Sequence, residues 1–452
     1  MSIPELYEIF LAHPDVTTDT RQCLQNGLFF ALRGSNFNGN DFASQALKNG
    51  CAFAVVDEPS LQGKTGMIFV ENVLATMQQL ATFHRRQLGT PIVQITGTNG
   101  KTTTKELTAA VLASEKNVLF TQGNLNNHIG VPKTLLRLRP HHEVAVIETG
   151  ANHQGEIAQL AEIADPDCGL ITNVGHAHLE GFGSFEGVVQ TKTELYAFLR
   201  RKPESFVFLH GDDTHLVPKA QGLPTVTYGQ PGKGFDVEGE TLSCTPFLHF
   251  RFRLKVSPWH EVQTHLIGSY NLPNALAAIA VGGKFGITPT KMAEAIAQYI
   301  PTNNRSEWVQ TPNNRVIVDA YNANPTSMKA ALENFSAIPA EHKMMILGEM
   351  LELGKVSTQE HWKIYKQALN LHCDALWLVG EAFRSFVTAD RASSPTGMNE
   401  ETAESENSPA VCWFPDVDAV KAALSSTQAP RDFLILVKGS NGTRLFQLPP
   451  LL

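Results

Sequence analysis

Apolar and polar positions follow two rhythms along this chain, and the changes of rhythm mark its elements. Short continuous apolar runs, LFFAL (Leu28 to Leu32) and CAFAVV (Cys51 to Val56), predict buried strands. Between them, Asp41 to Gly50 has helical spacing: Phe42, Ala46 and Leu47 share one face, and Gly50 supplies the stop. A second stretch repeats the alternation with more apolar strands: IVQI (92–95), VAVIE (Val144 to Glu148) and GLITNV (Gly169 to Val174). Helices are predicted over Lys101 to Lys116, with Leu107, Val111 and Leu112 inward, and over Gly155 to Ala164. Near-continuous apolar strands alternating with helices imply a parallel sheet covered on both faces.

The alternation starts afresh near Trp308. VIVDAY, KMMILGEM, DALWLVG, VCWF and DFLILVKGS predict strands. Asn324-Pro325 opens a helix, with proline where its missing N–H costs nothing. Ser357-x-x-Glu360 reads as the capping box of the next helix. This pattern predicts a second doubly wound unit. Residues 390–410 are polar, rich in Ser, Glu and Pro, and aperiodic, which predicts a flexible surface insertion. The expected architecture is α/β in three domains: a mixed α/β unit (1–85), a central parallel-sheet domain (86–307) and a Rossmann-like domain (308–452).

Length agrees: 452 residues at about 150 per domain give three. With 42% hydrophobic and 18% charged residues, disorder over most of the chain is excluded. The net charge of −8 argues against a general nucleic-acid binder. No apolar run approaches the ~18 residues of a membrane span. Glu5 and Glu8 stand where a secretory signal would carry Lys or Arg. The six cysteines are scattered and form no CxxC pair, so neither a disulfide scaffold nor a zinc ribbon is expected. A cytoplasmic chain is the expectation.

The strongest chemical signal is Thr96-Gly97-Thr98-Asn99-Gly100-Lys101-Thr102-Thr103-Thr104, which follows an apolar strand and opens a helix. Glycines let backbone N–H groups turn in on a phosphate, and the helix N-terminus adds a positive dipole end. Lys101 supplies a charge for the outer phosphates and Thr102 a hydroxyl for Mg²⁺. The loop is the compact form GTNGKT, because position 95 is Ile rather than Gly. Glu148, at the end of a buried strand beside the loop strand, is placed to hold Mg²⁺ with Thr102.

This loop resembles that of the Mur ligase family, whose members use ATP to join a carboxylate to an amine. The similarity extends through GNLNNHIGVP (Gly123 to Pro132), ETGANHQGEI (Glu148 to Ile157), TNVGHAHLEGFGS (Thr172 to Ser184), NLPNALAA (Asn271 to Ala278), DAYNANPTSM (Asp319 to Met328), GEMLELG (Gly348 to Gly354) and LVKGS (Leu436 to Ser440), nearly the whole chain. The resemblance implies ATP and two Mg²⁺ ions. It makes His178 a second metal ligand, with His176 the competing candidate. It matches Lys192 to the family's carbamylated lysine, a cation turned into a carboxylate-like ligand. Asn271 and Asn274 match asparagines that read the adenine end. Arg305 and Asp319 match residues that reach the nucleotide when the third domain closes.

Within the family, ANHQGEI, AHLEGFGS and D-x-YNANP imply the substrates UDP-N-acetylmuramoyl-tripeptide and D-alanyl-D-alanine. Asn322 and Asn324 are associated with the dipeptide side, and Lys438 and Ser440 lie at a strand end facing the same cleft. After KGS the family usually continues with an arginine or similar residue, whereas this chain has Asn441-Gly442. TTDTR, LFFALRG and NGNDF resemble a uridine-diphosphate grip, with Arg21 on the pyrophosphate and Thr20 and Asn40 on uracil or phosphate. Asn126, Asn127, His153 and Gln154 offer neutral donors to the sugar-peptide. A monomer is expected. The alternative is the amino-acid-adding member one step earlier, which typically carries a DNPR motif absent here. A non-catalytic nucleotide-binding regulator on the same fold is opposed by the joint presence of Lys101, Thr102, Glu148, His178 and Lys192.

Overall fold

A computed structural model describes residues 1–177, 179–255, 257–393, 409–426 and 429–452. In the N-terminal unit the strands Val16–Thr17, Leu28–Phe30, Phe53–Val56 and Met67–Phe69 form one parallel sheet in that order. The helices Ile3–Ala12 and Val73–Leu88 bury Leu6, Phe10, Met77 and Leu80 against it. The helix expected over Asp41 to Gly50 is instead a 3-10 turn, Gly39–Phe42, followed by a short α-helix, Ala43–Lys48. Asn38 accepts from the Asn40 N–H and starts the tight turn early, which leaves Phe42 half exposed rather than on the buried face.

The helix Val73–Leu88 runs through the boundary expected at 85. It ends at Gly89, whose φ of +65° is the left-handed stop that glycine adopts without strain. His84 reaches Tyr7 Oη at 3.2 Å and Leu138 O at 3.0 Å, and Arg85 Nη2 pairs with Asp167 Oδ2 at 2.6 Å. One helix therefore ties the first unit to the second.

Among the described residues the central sheet has nine strands. Ile92–Thr96 lies at its heart, parallel to Val144–Glu148 on one side and Cys168–Ile171 on the other. The parallel expectation holds there and fails at the far edge. Val237–Cys244, Phe247–Leu254 and His260–Ile267 add two antiparallel pairings. A two-residue link, Thr245-Pro246, is too short for a parallel crossover. Burial alternates along the middle of these strands, with Leu248, Phe250 and Phe252 inward and one face left to solvent.

The third sheet has the order Glu307–Gln310, Arg315–Asp319, Phe433–Lys438, His342–Gly348, Ala375–Val379, Ala410–Phe414, parallel except at its first strand. This register sets Asp319 beside Lys438 at the carboxyl ends of adjacent strands. The capping box expected at Ser357 and Glu360 is absent. A 3-10 turn, Gly354–Val356, runs straight into the helix Ser357–Leu369, so no extended residue is left to cap it. Glu360 pairs with Lys363 instead, at 2.6 Å. In this domain a capping box is found at Asn324 and Ser327, opening the helix Pro325–Ala337. The helix Glu381–Ser393 enters the expected 390–410 insertion and the strand Ala410–Phe414 starts at its end; residues 394–408 lie outside the described residues.

Candidate active site

Between the second and third domains lies a cavity of about 530 Å³. One wall carries Thr98, Asn99, Gly100, Lys101, Thr103 and Glu148; the other carries Arg305, Asp319, Asn322 and Lys438. The loop owes its shape to two glycines. At Gly97 (φ +143°) a Cβ would stand 2.0 Å from Thr172 Oγ1, and at Gly100 (φ +77°) 2.5 Å from Asn274 Oδ1. The segment after Cys168–Ile171 braces the loop. Thr98 N donates to Asn173 O (2.9 Å), Asn99 N to Asn173 Oδ1 (3.0 Å), and Thr172 Oγ1 to Asn99 O (2.6 Å). Helix Lys101–Ala113 starts at once, aiming its free N–H groups at the same space.

The Lys101 ammonium curls over the loop and donates to Gly97 O and Thr98 O, both at 2.9 Å. Burial pushes its pKa down to about 8, with Glu148 opposing the fall and Arg305 adding to it, so it stays mostly charged at neutral pH. Glu148 is fully buried at its strand end, where its N–H is held by Thr121 Oγ1 at 3.0 Å. Its Oε1 accepts from Asn126 Nδ2 at 2.8 Å, while Oε2 has no hydrogen-bond partner. A buried carboxylate oxygen without a donor beside a phosphate loop suits a hard cation, and Thr102, also buried, offers a hydroxyl from the first turn. Among the described residues no three His, Cys, Asp or Glu side chains converge as a metal cluster.

Lys192 lies on helix Phe185–Leu199, 2% exposed, with its amine 5.2 Å from the Phe182 ring centre. Burial pushes its pKa down to about 7; Lys101 repels it further, while Glu194 and Glu156 oppose the shift. His178 lies outside the described residues. Its competitor His176 is exposed, with its ring 5.0 Å from that of Phe185.

Asn271 and Asn274 both line the cavity and are buried. They form a chain: Asn274 Nδ2 donates to Asn271 Oδ1 (2.9 Å), Asn271 Nδ2 to Ile267 O (2.9 Å), and Thr104 Oγ1 to Asn274 Oδ1 (3.1 Å). On the opposite wall the Arg305 guanidinium lies 3.8 Å from the Tyr321 ring centre. Asp319 Oδ2 accepts from the buried Lys438 ammonium at 2.5 Å, and its Oδ1 from Ser306 N at 3.3 Å.

Of the other expected residues, Asn127 lines the cavity, and Ser440, His153, Gln154, Thr20, Arg21 and Asn40 do not. Ser440 is buried in a turn, its Oγ accepting from Leu351 N at 3.0 Å. Asn127 reaches the cavity wall while its Oδ1 accepts from Ile129 N and Gly130 N. His153 faces Glu156, and Gln154 Nε2 lies 3.5 Å from Phe182 O. Thr20, Arg21 and Asn40 are in the N-terminal unit, away from the cavity. Arg21 is exposed and its fork closes on Asp19, with Nη2 at 2.7 Å from Oδ2.

Asn40 is 4% exposed, and its amide is used up internally. Nδ2 donates to Asn38 Oδ1 and Asp57 Oδ1, both at 2.8 Å, and Oδ1 accepts from Asp57 N at 3.0 Å. Asn40→Ala is expected to cost about 1–3 kcal/mol of N-terminal domain stability by stranding buried groups of Asp57. A thermal scan checks this through an earlier first transition of the whole chain. Tyr270, Tyr299, Tyr321 and Asn173 also line the cavity, and none of them is a candidate by residue type and pattern alone. Tyr321 and Asn173 sit inside the DAYNANP and TNVGHAH motifs, and Tyr270 directly precedes Asn271, so their neighbours carried the signal.

Three family models match the chain: one described as Mur ligase family, catalytic domain (residues 15–88), one as Mur ligase middle domain (95–282), and one as Mur ligase, glutamate ligase domain (304–441). The chain belongs to the Mur ligase family. The break between the first two matched spans falls at Gly89, where the connecting helix stops. A curated Mur ligase of Bacillus subtilis, UDP-N-acetylmuramoyl-tripeptide–D-alanyl-D-alanine ligase, is 37% identical over 373 residues, covering 80% of this chain and 80% of its own. Among solved Mur ligases, a MurF crystal structure from Acinetobacter baumannii is 28% identical with a TM-score of 0.84, covering 99% of this chain and 97% of that one. The fold is shared by the MurF ligase of Thermotoga maritima in complex with ADP, 24% identical with a TM-score of 0.80, covering 98% and 97%.

Proposed function

We propose that this Mur ligase joins D-alanyl-D-alanine to UDP-N-acetylmuramoyl-tripeptide at the expense of ATP, giving the UDP-N-acetylmuramoyl-pentapeptide, ADP and phosphate for peptidoglycan synthesis. One observation carries the reading: the cavity faces a phosphate loop with its lysine on one side and the Asp319–Lys438 pair of another domain on the other. The relative of Bacillus subtilis supports the choice of substrates.

The terminal carboxylate of the tripeptide is already ionised, so its attack on the γ-phosphorus needs no general base. Positioning and charge neutralisation do the work. Lys101, with the N–H groups of its helix, offsets the charge growing on the transferred phosphoryl group. An acyl phosphate forms and the P–O bond to ADP breaks. The free amine of D-alanyl-D-alanine then attacks the acyl carbon, loses a proton, and phosphate leaves. Arg305, Asp319, Asn271 and Asn274 line the place assigned to the nucleotide; Asn126, Asn127, His153 and Gln154 are assigned to the sugar-peptide, and Asn322 and Lys438 to the dipeptide side.

Thr102 and Glu148 would hold Mg²⁺, and His178 with a carbamylated Lys192 a second ion; when bound, these ions spread charge over the phosphates. The buried, depressed-pKa amine of Lys192 supports carbamylation, because only the neutral amine adds CO₂. The N-terminal unit is assigned to the uridine diphosphate. Among the described residues no helix is long and apolar enough to cross a membrane, and a monomeric cytoplasmic enzyme fits soluble substrates.

ADP release decides the substrates. Turnover is expected with UDP-N-acetylmuramoyl-tripeptide plus D-alanyl-D-alanine, and none with UDP-N-acetylmuramoyl-dipeptide plus diaminopimelate. The reverse result would move the enzyme one step back in the sequence of additions.

A further inference from the structure

One hydrogen bond joins the third domain directly to the phosphate loop, and no step above uses it. Asn324, at the start of helix Pro325–Ala337, spends both ends of its amide. Oδ1 accepts from Ser327 N at 2.9 Å, satisfying one of the helix's free N–H groups. Nδ2 donates to Asn99 Oδ1 at 2.7 Å. Asn324 is 4% exposed, so water competes little for this bond. Asn99 is equally fixed: its N–H is held by Asn173 Oδ1, and its carbonyl takes bonds from Thr172 Oγ1 (2.6 Å) and Asn173 Nδ2 (2.9 Å). The seam continues two residues on, where a Cβ at Gly175 would stand 3.3 Å from Thr326 Oγ1. The Asn324 side chain and the Asn99 backbone are each held within their own domain, so the bond forms only when the two domains are closed together.

We propose that Asn324 is a positioning residue that latches the third domain onto the phosphate loop, and not a ligand of the dipeptide. The inference rests on the ligase reading above. Both polar ends of the amide are engaged within the protein, and Asn324 does not line the cavity, whereas its neighbours Asn322, Thr326 and Ser327 do. The latch ties the conformation of the nucleotide loop to domain closure. Closure is what keeps water from an acyl phosphate.

Two variants approach the bond from opposite sides. Asn324→Ser keeps a good helix cap but is too short to reach Asn99. Asn99→Ala removes the acceptor. Each is expected to lower kcat for amide formation roughly three- to tenfold, the span one neutral hydrogen bond supports. KM for D-alanyl-D-alanine should stay unchanged, and phosphate released per amide formed should rise above one. The double variant should be no worse than the single ones, because both remove the same bond. A raised KM for D-alanyl-D-alanine with one phosphate per amide would return Asn324 to the dipeptide and overturn the latch, as would additive losses. If the wild-type chain forms no amide from these substrates, the ligase reading has failed, and small-angle scattering judges the latch alone. Asn324→Ser should then show a larger radius of gyration than wild type, and equal radii overturn it. Should the serine variant not fold, Asn99→Ala carries the same readouts.

Discussion

Lys101→Ala is expected to reduce ligation by on the order of a thousandfold, the loss seen when a pre-organised charge is removed from an oxyanion or phosphoryl site. The argument is geometric. The ammonium sits at the N-terminus of its helix, where free N–H groups already favour an anion, and two carbonyls of the loop hold it at 2.9 Å. Burial strengthens its field, and a pKa of about 8 leaves it mostly charged at neutral pH. No other cation stands in the loop itself to replace it. Lys101→Arg should not restore the rate, because a planar fork does not fit where a point charge is cradled. The loss should appear in kcat, with folding judged by an unchanged thermal midpoint. Retained ligation would remove Lys101 from the reaction.

The residues the sequence showed best are those whose role is local. A strand, two glycines of positive φ, a lysine and a helix start are consecutive in the chain, so GTNGKT exposes its own geometry. Strand alternation likewise reveals the doubly wound sheets, because apolar runs are the direct trace of strands buried on both faces. What stayed hidden depends on distant partners. Asn40 reads as a free polar donor until Asp57, seventeen residues on, takes its amide. Asn274 lies against Gly100 only because the helix after His260–Ile267 returns to the loop. The antiparallel edge has ordinary alternating polarity that no motif announces. The missing box at Ser357 shows the same limit at short range: the pattern was present, but the preceding turn supplied no extended residue to use it.

Lys192→Ala is the second variant for which near-complete loss is expected, at least a hundredfold, and its sign with pH is part of the test. A lysine ammonium 2% exposed and repelled by Lys101 is an unstable neighbour for bound cations. The same burial that pushes its pKa down to about 7 leaves a large neutral fraction at neutral pH, and only that fraction adds CO₂. Below pH 7 the proton blocks the addition; above it the amine is free. The activity that bicarbonate restores to CO₂-depleted enzyme should therefore grow as pH rises from 6 to 8. A carbamate also replaces a positive charge with a negative one, which Glu156 and Glu194 disfavour unless a cation binds at the same time. Restoration should accordingly need Mg²⁺ and bicarbonate together. In Lys192→Ala the vacated space should accept a short carboxylic acid, so acetate or formate should recover part of the rate. Bicarbonate alone should do nothing for that variant. Full activity of Lys192→Ala without any added acid would show that no carboxylate is needed at this position.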